Sequence, residues 1–312
     1  MLLSRRARQL LRQLRSGGRR QSDLEAERTV GRPEGARTQT AEQRTGQSLS
    51  VAERAARVAV RRAARAAPPA PPNGPLEELV PGRIVEGPDG SFYLVEARPA
   101  EVHPQAAGIL EGLPDSLRAV SAASGDAELG RLGEATPDQL ALLDLETAGL
   151  WAAPIFLVGL VLWANEQPDT AVVHQLMARD YAEEAAVLGE AAKLLAGRRV
   201  LISFNGRAFD LPLIQERLVY HRLQRITPPE CHLDLLGLAR KRFKGRWEDC
   251  RLQTLEKHLC GRERWGDIEG ADIPRAYHDF VESGDAGQMK LVIEHNRLDL
   301  ISMLEILPHL GS

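Results

Sequence analysis

Three carboxylate-bearing segments have the residue types and placement to act together. Asp144-Leu145-Glu146 closes the apolar run 140–143, and in an extended chain residues two apart project to the same side, so both carboxylates face one pocket. Asp210 ends the passage Ser203-Phe204-Asn205-Gly206-Arg207-Ala208-Phe209, which reads as a strand running through a loop into a helix whose dipole favours an anion at its start. Asp299 closes Glu294-His295-Asn296-Arg297-Leu298-Asp299, a helical stretch. His295 and Asn296 stand four and three residues before it and so share its face. Carboxylates are hard oxygen donors, and such a set suits a hard divalent cation, Mg²⁺ or Mn²⁺. Each motif alone has a plainer reading: a solvated strand end, a first-turn helix charge, an exposed polar stripe. Paired carboxylates also serve glycoside hydrolysis, but nothing in the chain suggests a carbohydrate cleft.

The elements that must position these groups follow from periodicity. Apolar runs at 140–143, 155–163 and 171–177 predict three sequential strands, the first ending in the acidic pair. A helix is expected over 180–196, with Asp180 as N-cap and Gly197 just past its end. A strand over 199–204, a helix over 209–223 and a short strand at 231–233 come next. Helices then follow near 235–243, 252–260 and 273–281, and a last one over 287–307. The order is that of a mixed α/β sheet with flanking helices. Ahead of it, two β-like runs around Gly87-Pro88-Asp89-Gly90 predict a small hairpin between 82 and 98, followed by a polar, Gly-containing connection to about 137. The expected division is a basic extension and Pro-rich linker over 1–75, the hairpin and connecting region over 76–137, and the main domain over 138–312.

The segments Leu142-Leu143-Asp144-Leu145-Glu146-Thr147-Ala148-Gly149-Leu150, Phe204-Asn205-Gly206-x-x-Phe209-Asp210 and His295-Asn296-x-x-Asp299 resemble, in order, the three exonuclease motifs of the DEDD superfamily. More narrowly, the chain is similar to the YprB-like, predicted RNase H-like exonuclease family, a similarity to which His232-Leu233-Asp234-Leu235-Leu236, Asp272-Ile273-Pro274-x-x-Tyr277 and Ser283-Gly284-Asp285 add. The resemblance implies an RNase H-like fold in which Asp144, Glu146, Asp210 and Asp299 bind two divalent ions, Mg²⁺ or Mn²⁺. The implied reaction is 3′-to-5′ hydrolysis of single-stranded DNA or RNA. A binding module that keeps the fold without cleaving is the alternative. It further implies that Thr147, Asn205, Phe209 and Asn296 contact the substrate's 3′ end, and that His295, with an ordinary pKa near 6.5, acts as base or orients water. His295 departs from the pattern: superfamily members with a catalytic His place it five residues before the last Asp, and four is the spacing of those with Tyr. A role behind the metal ligands therefore competes for it. Asp234 is read as helix cap or as support for the cluster.

Composition narrows the remaining classes. With 43% hydrophobic and 27% charged residues among 312, the chain suits a globular core. Its net charge of −3 conceals an uneven distribution: residues 1–75 hold 16 Arg, no Lys and six acidic residues. That segment is read as a disordered tail containing helical stretches at 3–14 and 50–67. A nucleic-acid-tethering arm and a targeting segment are its alternatives. No apolar run is long enough to span a bilayer, Arg5, Arg6 and Arg8 interrupt any leader at once, and a cytoplasmic location is expected. Cys231, His232, Cys250, His258 and Cys260 lack the paired spacing of a zinc site. Neither a phosphate-binding loop ending in Gly-Lys-Ser/Thr nor a Gly-x-Ser-x-Gly elbow occurs.

Overall fold

The computed structural model describes residues 71–150 and 153–311. The predicted extension, with its stretches at 3–14 and 50–67, lies outside the described residues as far as residue 70. Its last residues are bonded into the fold. The Gly74 N–H donates to Asp285 Oδ1 at 3.0 Å, and the Ala286 N–H donates to the Gly74 carbonyl at 2.8 Å.

Seven strands form one sheet in the order β1-β2-β5-β4-β3-β6-β7. They are β1 (Arg83–Gly87), β2 (Gly90–Ala97), β3 (Leu140–Thr147), β4 (Ile155–Trp163), β5 (Ala171–Met177), β6 (Val200–Ser203) and β7 (Cys231–Asp234). The helices are α1 (Leu76–Leu79), α2 (Pro99–Val102), α3 (Ala106–Glu111), α4 (Leu113–Ser124), α5 (Glu184–Leu195), α6 (Asp210–Tyr220), α7 (Leu235–Phe243), α8 (Leu252–Leu255), α9 (Ile273–Ser283) and α10 (Gly287–Ile306). Strands β1 to β5 pair antiparallel, whereas β3, β6 and β7 run parallel to one another. The predicted hairpin is thus continuous with the sheet, because β2 pairs with β5. The stretch expected to be an irregular connection contains α4, whose Leu113, Leu117 and Val120 recur at helical spacing and are buried.

Both sheet faces are covered, which is why β4 reads as an unbroken apolar run and is buried throughout. On one face Leu140 and Leu142 share a core cluster with Leu300, Ile301 and Leu304 of α10. On the other, Leu143, Leu145, Phe156 and Val158 pack with α5, α6 and α9, where Tyr277 stacks on Phe156 at 4.0 Å between ring centroids. Glu184 ties three of these elements together. It accepts the Ile155 N–H at 2.8 Å and is paired with Arg217 and, at 2.8 Å, with His221.

The alternation that sends Leu140 and Leu142 toward α10 sends Asp144 and Glu146 there too, at the carboxyl end of β3. Gly159, opposite Asp144 on β4, leaves room for this approach: a Cβ there would lie 2.2 Å from Asn296 Oδ1. Gly159→Ala should therefore cost about 1–3 kcal/mol through forced repacking of α10. An unchanged urea midpoint would show that α10 can retreat freely.

Candidate active site

The cluster forms where three parallel strands end. Asp144 and Glu146 stand on β3, which a bulge between Glu146 and Thr147 terminates. The loop after β6 turns at Asn205, whose φ of 69° is one that Asn tolerates better than most residues. Asp210 opens α6 and is buried. Asp234 ends β7 and accepts from Leu236 N at 3.1 Å, capping α7 as expected. It also accepts the Asn205 and Arg207 N–H groups at 2.9 and 3.2 Å, fixing the loop that precedes Asp210. Asp299 arrives from α10.

Asp210 is buried, Asp144, Glu146 and Asp299 are half-buried, and Asp144 and Asp299 face the cleft. Burial, then the charges of Asp299, Glu146 and Asp210, holds Asp144 well above the ordinary carboxylate range. Glu146 is pushed up to about 8, mainly by burial, with Asp299 and Asp210 adding and His295 opposing. Burial takes Asp210 to about 7 and raises Asp299 against the pull of Arg264 and His295. Asn296 donates through Nδ2 to Asp144 Oδ2 at 2.8 Å and receives the Gln175 amide at 2.8 Å. Arg264 reaches Asp299 Oδ1 at 2.5 Å and also pairs with Glu256 and, at 3.2 Å, with Asp267. His295 bonds through Nδ1 to Asp267 Oδ1 at 2.9 Å, and its Nε2 lies 3.7 Å from Asp299 Oδ2.

Several expectations change on this geometry. Asn296 is 0% exposed and lies beneath Asp144, so it supports that carboxylate and offers no surface to a substrate. The expected basic role of His295 does not follow from its surroundings. Burial works against its charge, but Asp267, Asp299 and Glu146 outweigh burial and bring its pKa up to about 9, which makes it a cation at neutral pH. The Thr147 hydroxyl turns to its own bend, donating to the Gly149 carbonyl at 2.8 Å. Asn205 lines the cleft beside the cluster, and Phe209 is 42% exposed at the head of α6, outside the core. Arg264, Asp267 and Gln175 were not singled out in the sequence, because the site residues they meet, Asp299, His295 and Asn296, lie 28 or more residues away.

The residues that invited a zinc reading are scattered among different surroundings. Cys231 is a buried thiol pushed up to about 11, His232 bonds to Ser203 Oγ at 2.8 Å, and His258 stacks on Trp247.

The donor set of the acidic cluster fits a hard divalent cation, since four desolvated carboxylates with raised pKa values lack the positive charge that would let all of them ionise. As placed, no group of three or more His, Cys, Asp or Glu among the described residues is spaced to hold a metal ion, and Asp299 is held by Arg264. Binding would thus require that pair to loosen.

Comparison with known proteins decides the family. Residues 141–311 match the RNase_H superfamily. The chain belongs to it. "Uncharacterized protein YprB" of Bacillus subtilis (strain 168) is 30% identical over 179 residues, which are 56% of this chain and 42% of that protein. The chain thus spans less than half of that relative's length. Among solved structures, the family B DNA polymerase from the hyperthermophilic archaeon Pyrobaculum calidifontis is similar at a TM-score of 0.42 and 12% identity, over 54% of this chain and 24% of that one. An RNase H-like fold is in general that of a nuclease that binds nucleic acid and uses divalent metal ions. No helix among the described residues is long and apolar enough to cross a membrane.

The raised pKa values fix the sign of a pH effect. Glu146, Asp210 and His295 have folded values of about 8, 7 and 9 against ordinary values of 4.5, 3.8 and 6.5. Each contributes stability that is present below the ordinary value and lost as pH rises through the folded one. Glu184 and Asp267, held low by Arg217 and His295 despite burial, impose the opposite loss at acid pH. In chelator the melting temperature should fall from about pH 5 to pH 9, and Mn²⁺ should restore more of it at the alkaline end. A flat or rising profile above about pH 6 would contradict the assigned environment.

Proposed function

We propose that this chain is a metal-dependent 3′-to-5′ exonuclease of the DEDD type, acting on the 3′ end of single-stranded DNA or RNA with two Mg²⁺ or Mn²⁺ ions, in the cytoplasm. The observation that carries the reading is that Asp144, Glu146, Asp210 and Asp299 lie close enough to raise one another's pKa at a cleft of ≈ 660 Å³ lined by Asp144 and Asp299. Residues 138–312 are the proposed catalytic unit, with the hairpin over 76–137 extending its sheet and 1–75 as a basic extension.

Asp144, Glu146, Asp210 and Asp299 are the proposed ligands. Divalent ions held there supply a polarised water and neutralise the charge that develops on a phosphodiester. Asn296 keeps Asp144 oriented from below, and Asp234 keeps the Asn205 loop in place. Asn205, which lines the cleft, and Phe209, exposed at the head of α6, are the proposed contacts to the terminal nucleotide, by hydrogen bonding and by packing. Thr147 reaches it only if its hydroxyl leaves Gly149. Asp267 orients His295, whose charge complements the developing negative charge on a reacting phosphate.

One observation favours a second reading, a non-cleaving nucleic-acid-binding module: Arg264 and protonated His295 already supply two positive charges to the cluster.

Incubation with 5′-labelled DNA and RNA oligonucleotides and Mn²⁺ separates the readings. The exonuclease produces a ladder shortening from the 3′ end, an endonuclease on the same scaffold cuts at discrete internal positions, and the binding module leaves both strands intact. Asp144→Asn and Asp299→Asn should each lower cleavage by at least about 100-fold. Since each substitution removes charge from a repulsive cluster, Asp144→Asn should not lower the melting temperature in chelator at alkaline pH. Cleavage at the parental rate by either variant removes that carboxylate from the site.

A further inference from the structure

The cleft does not end at the acidic cluster. Besides Asp144, His295 and Asp299, its lining includes Leu236, Arg240 and Arg251, with Asp249 and Glu269 as further acids. Leu236 and Arg240 are four residues apart on α7 and therefore share a face of that helix. The start of α7 is anchored at the Asn205 loop through Asp234, which places Arg240 ~9 Å further along the helix axis.

Arg240 is exposed and makes no ion pair with any described residue. Arg251 is 85% exposed, and its only ion pair is a single contact from Nε to Asp249 Oδ2 at 3.3 Å, the other oxygen of that carboxylate accepting from Thr254 Oγ1 at 2.6 Å and from the Arg251 N–H. Cations continue beyond the cleft as Lys241, Arg242, Lys244 and Arg246, all exposed. An acidic wall repels a polyanion, so a strand that enters this cleft needs positive charge from elsewhere in it. The guanidinium fork suits a phosphate, and Arg240 offers all of its donors while Arg251 keeps its terminal nitrogens free of the Asp249 pair.

We infer that Arg240 and Arg251 form a phosphate track for single-stranded nucleic acid, holding backbone phosphates 5′ of the one that reaches the acidic cluster and leading the strand out along the basic end of α7. The inference rests on the proposed function for which phosphate reaches the cluster. Its test does not require cleavage.

For a single strand each phosphate contact adds a slope of ≈ −0.7 to log K against log salt, so one lost contact weakens binding about fivefold at 0.1 M salt. Binding of the full chain to a fluorescein-labelled oligothymidylate in Ca²⁺ is followed by anisotropy across a salt series. Arg240→Gln and Arg251→Gln should each flatten the slope by about 0.7, and the double variant by about 1.4. Arg240→Lys should keep the wild-type slope. Arg199→Gln, at the opposite end of β6, is the control and should change nothing.

A neutral methylphosphonate placed at one of the 3′-terminal linkages should reproduce the fivefold loss for the wild type and cost Arg240→Gln nothing further. Unaltered slopes in both glutamine variants, or a methylphosphonate loss that adds fully to Arg240→Gln at every linkage, overturn the track. The two readings fail separately. An oligonucleotide that is bound with the expected slopes but never shortened defeats the nuclease reading alone, whereas shortening with unaltered slopes defeats the track alone.

Discussion

Repulsion among carboxylates partly withdrawn from water is the constraint around which this site is arranged. Asp144, Glu146 and Asp210 each experience the charge of Asp299 as well as burial, and left alone such a group would take up protons or open to solvent. The surroundings prevent opening. Asn296 and Gln175 brace Asp144 from beneath, and Asp234 pins the loop before Asp210. Arg264 draws Asp299 toward a buried network with Glu256 and Asp267. What is stored is an unmet demand for positive charge, and the raised pKa values are its signature.

Much of the site was legible in the chain because its motifs are local. Asp144 and Glu146 sit two apart on a strand, and Asp210 sits at a strand-to-helix passage, so short-range geometry fixed their orientation. The face of α10 was equally readable: His295, Asn296 and Asp299 do share it. What spacing could not supply was the crossing of α10 over β4, which puts Asn296 under Asp144 instead of into the cleft. The one local sign of that crossing was Gly159, a lone glycine inside an apolar strand, where a missing side chain marks a close approach.

Less was legible where opposite charges choose among partners. The segment from Arg262 to Glu269 holds two arginines and three acids, and which of them meets Asp299 or His295 depends on how the loop folds back. The protonation of His295 follows from Asp267, 28 residues earlier, so the ordinary imidazole value misleads. Helix α4 was missed for a different reason. Its Pro114, Ser116, Ser121 and flanking glycines resemble a connection, and only the burial of Leu113, Leu117 and Val120 against the sheet makes it a helix.

The position of α10 in the chain has a consequence for biosynthesis. All seven strands precede it, yet it carries Asp299 and Asn296 together with Leu300, Ile301 and Leu304 of the core. During synthesis, three of the acidic groups are assembled on the sheet while the fourth, and the amide that steadies the first, are still to be translated. The growing polypeptide is thus without its fourth carboxylate until the helix that also fills part of its hydrophobic interior has been made.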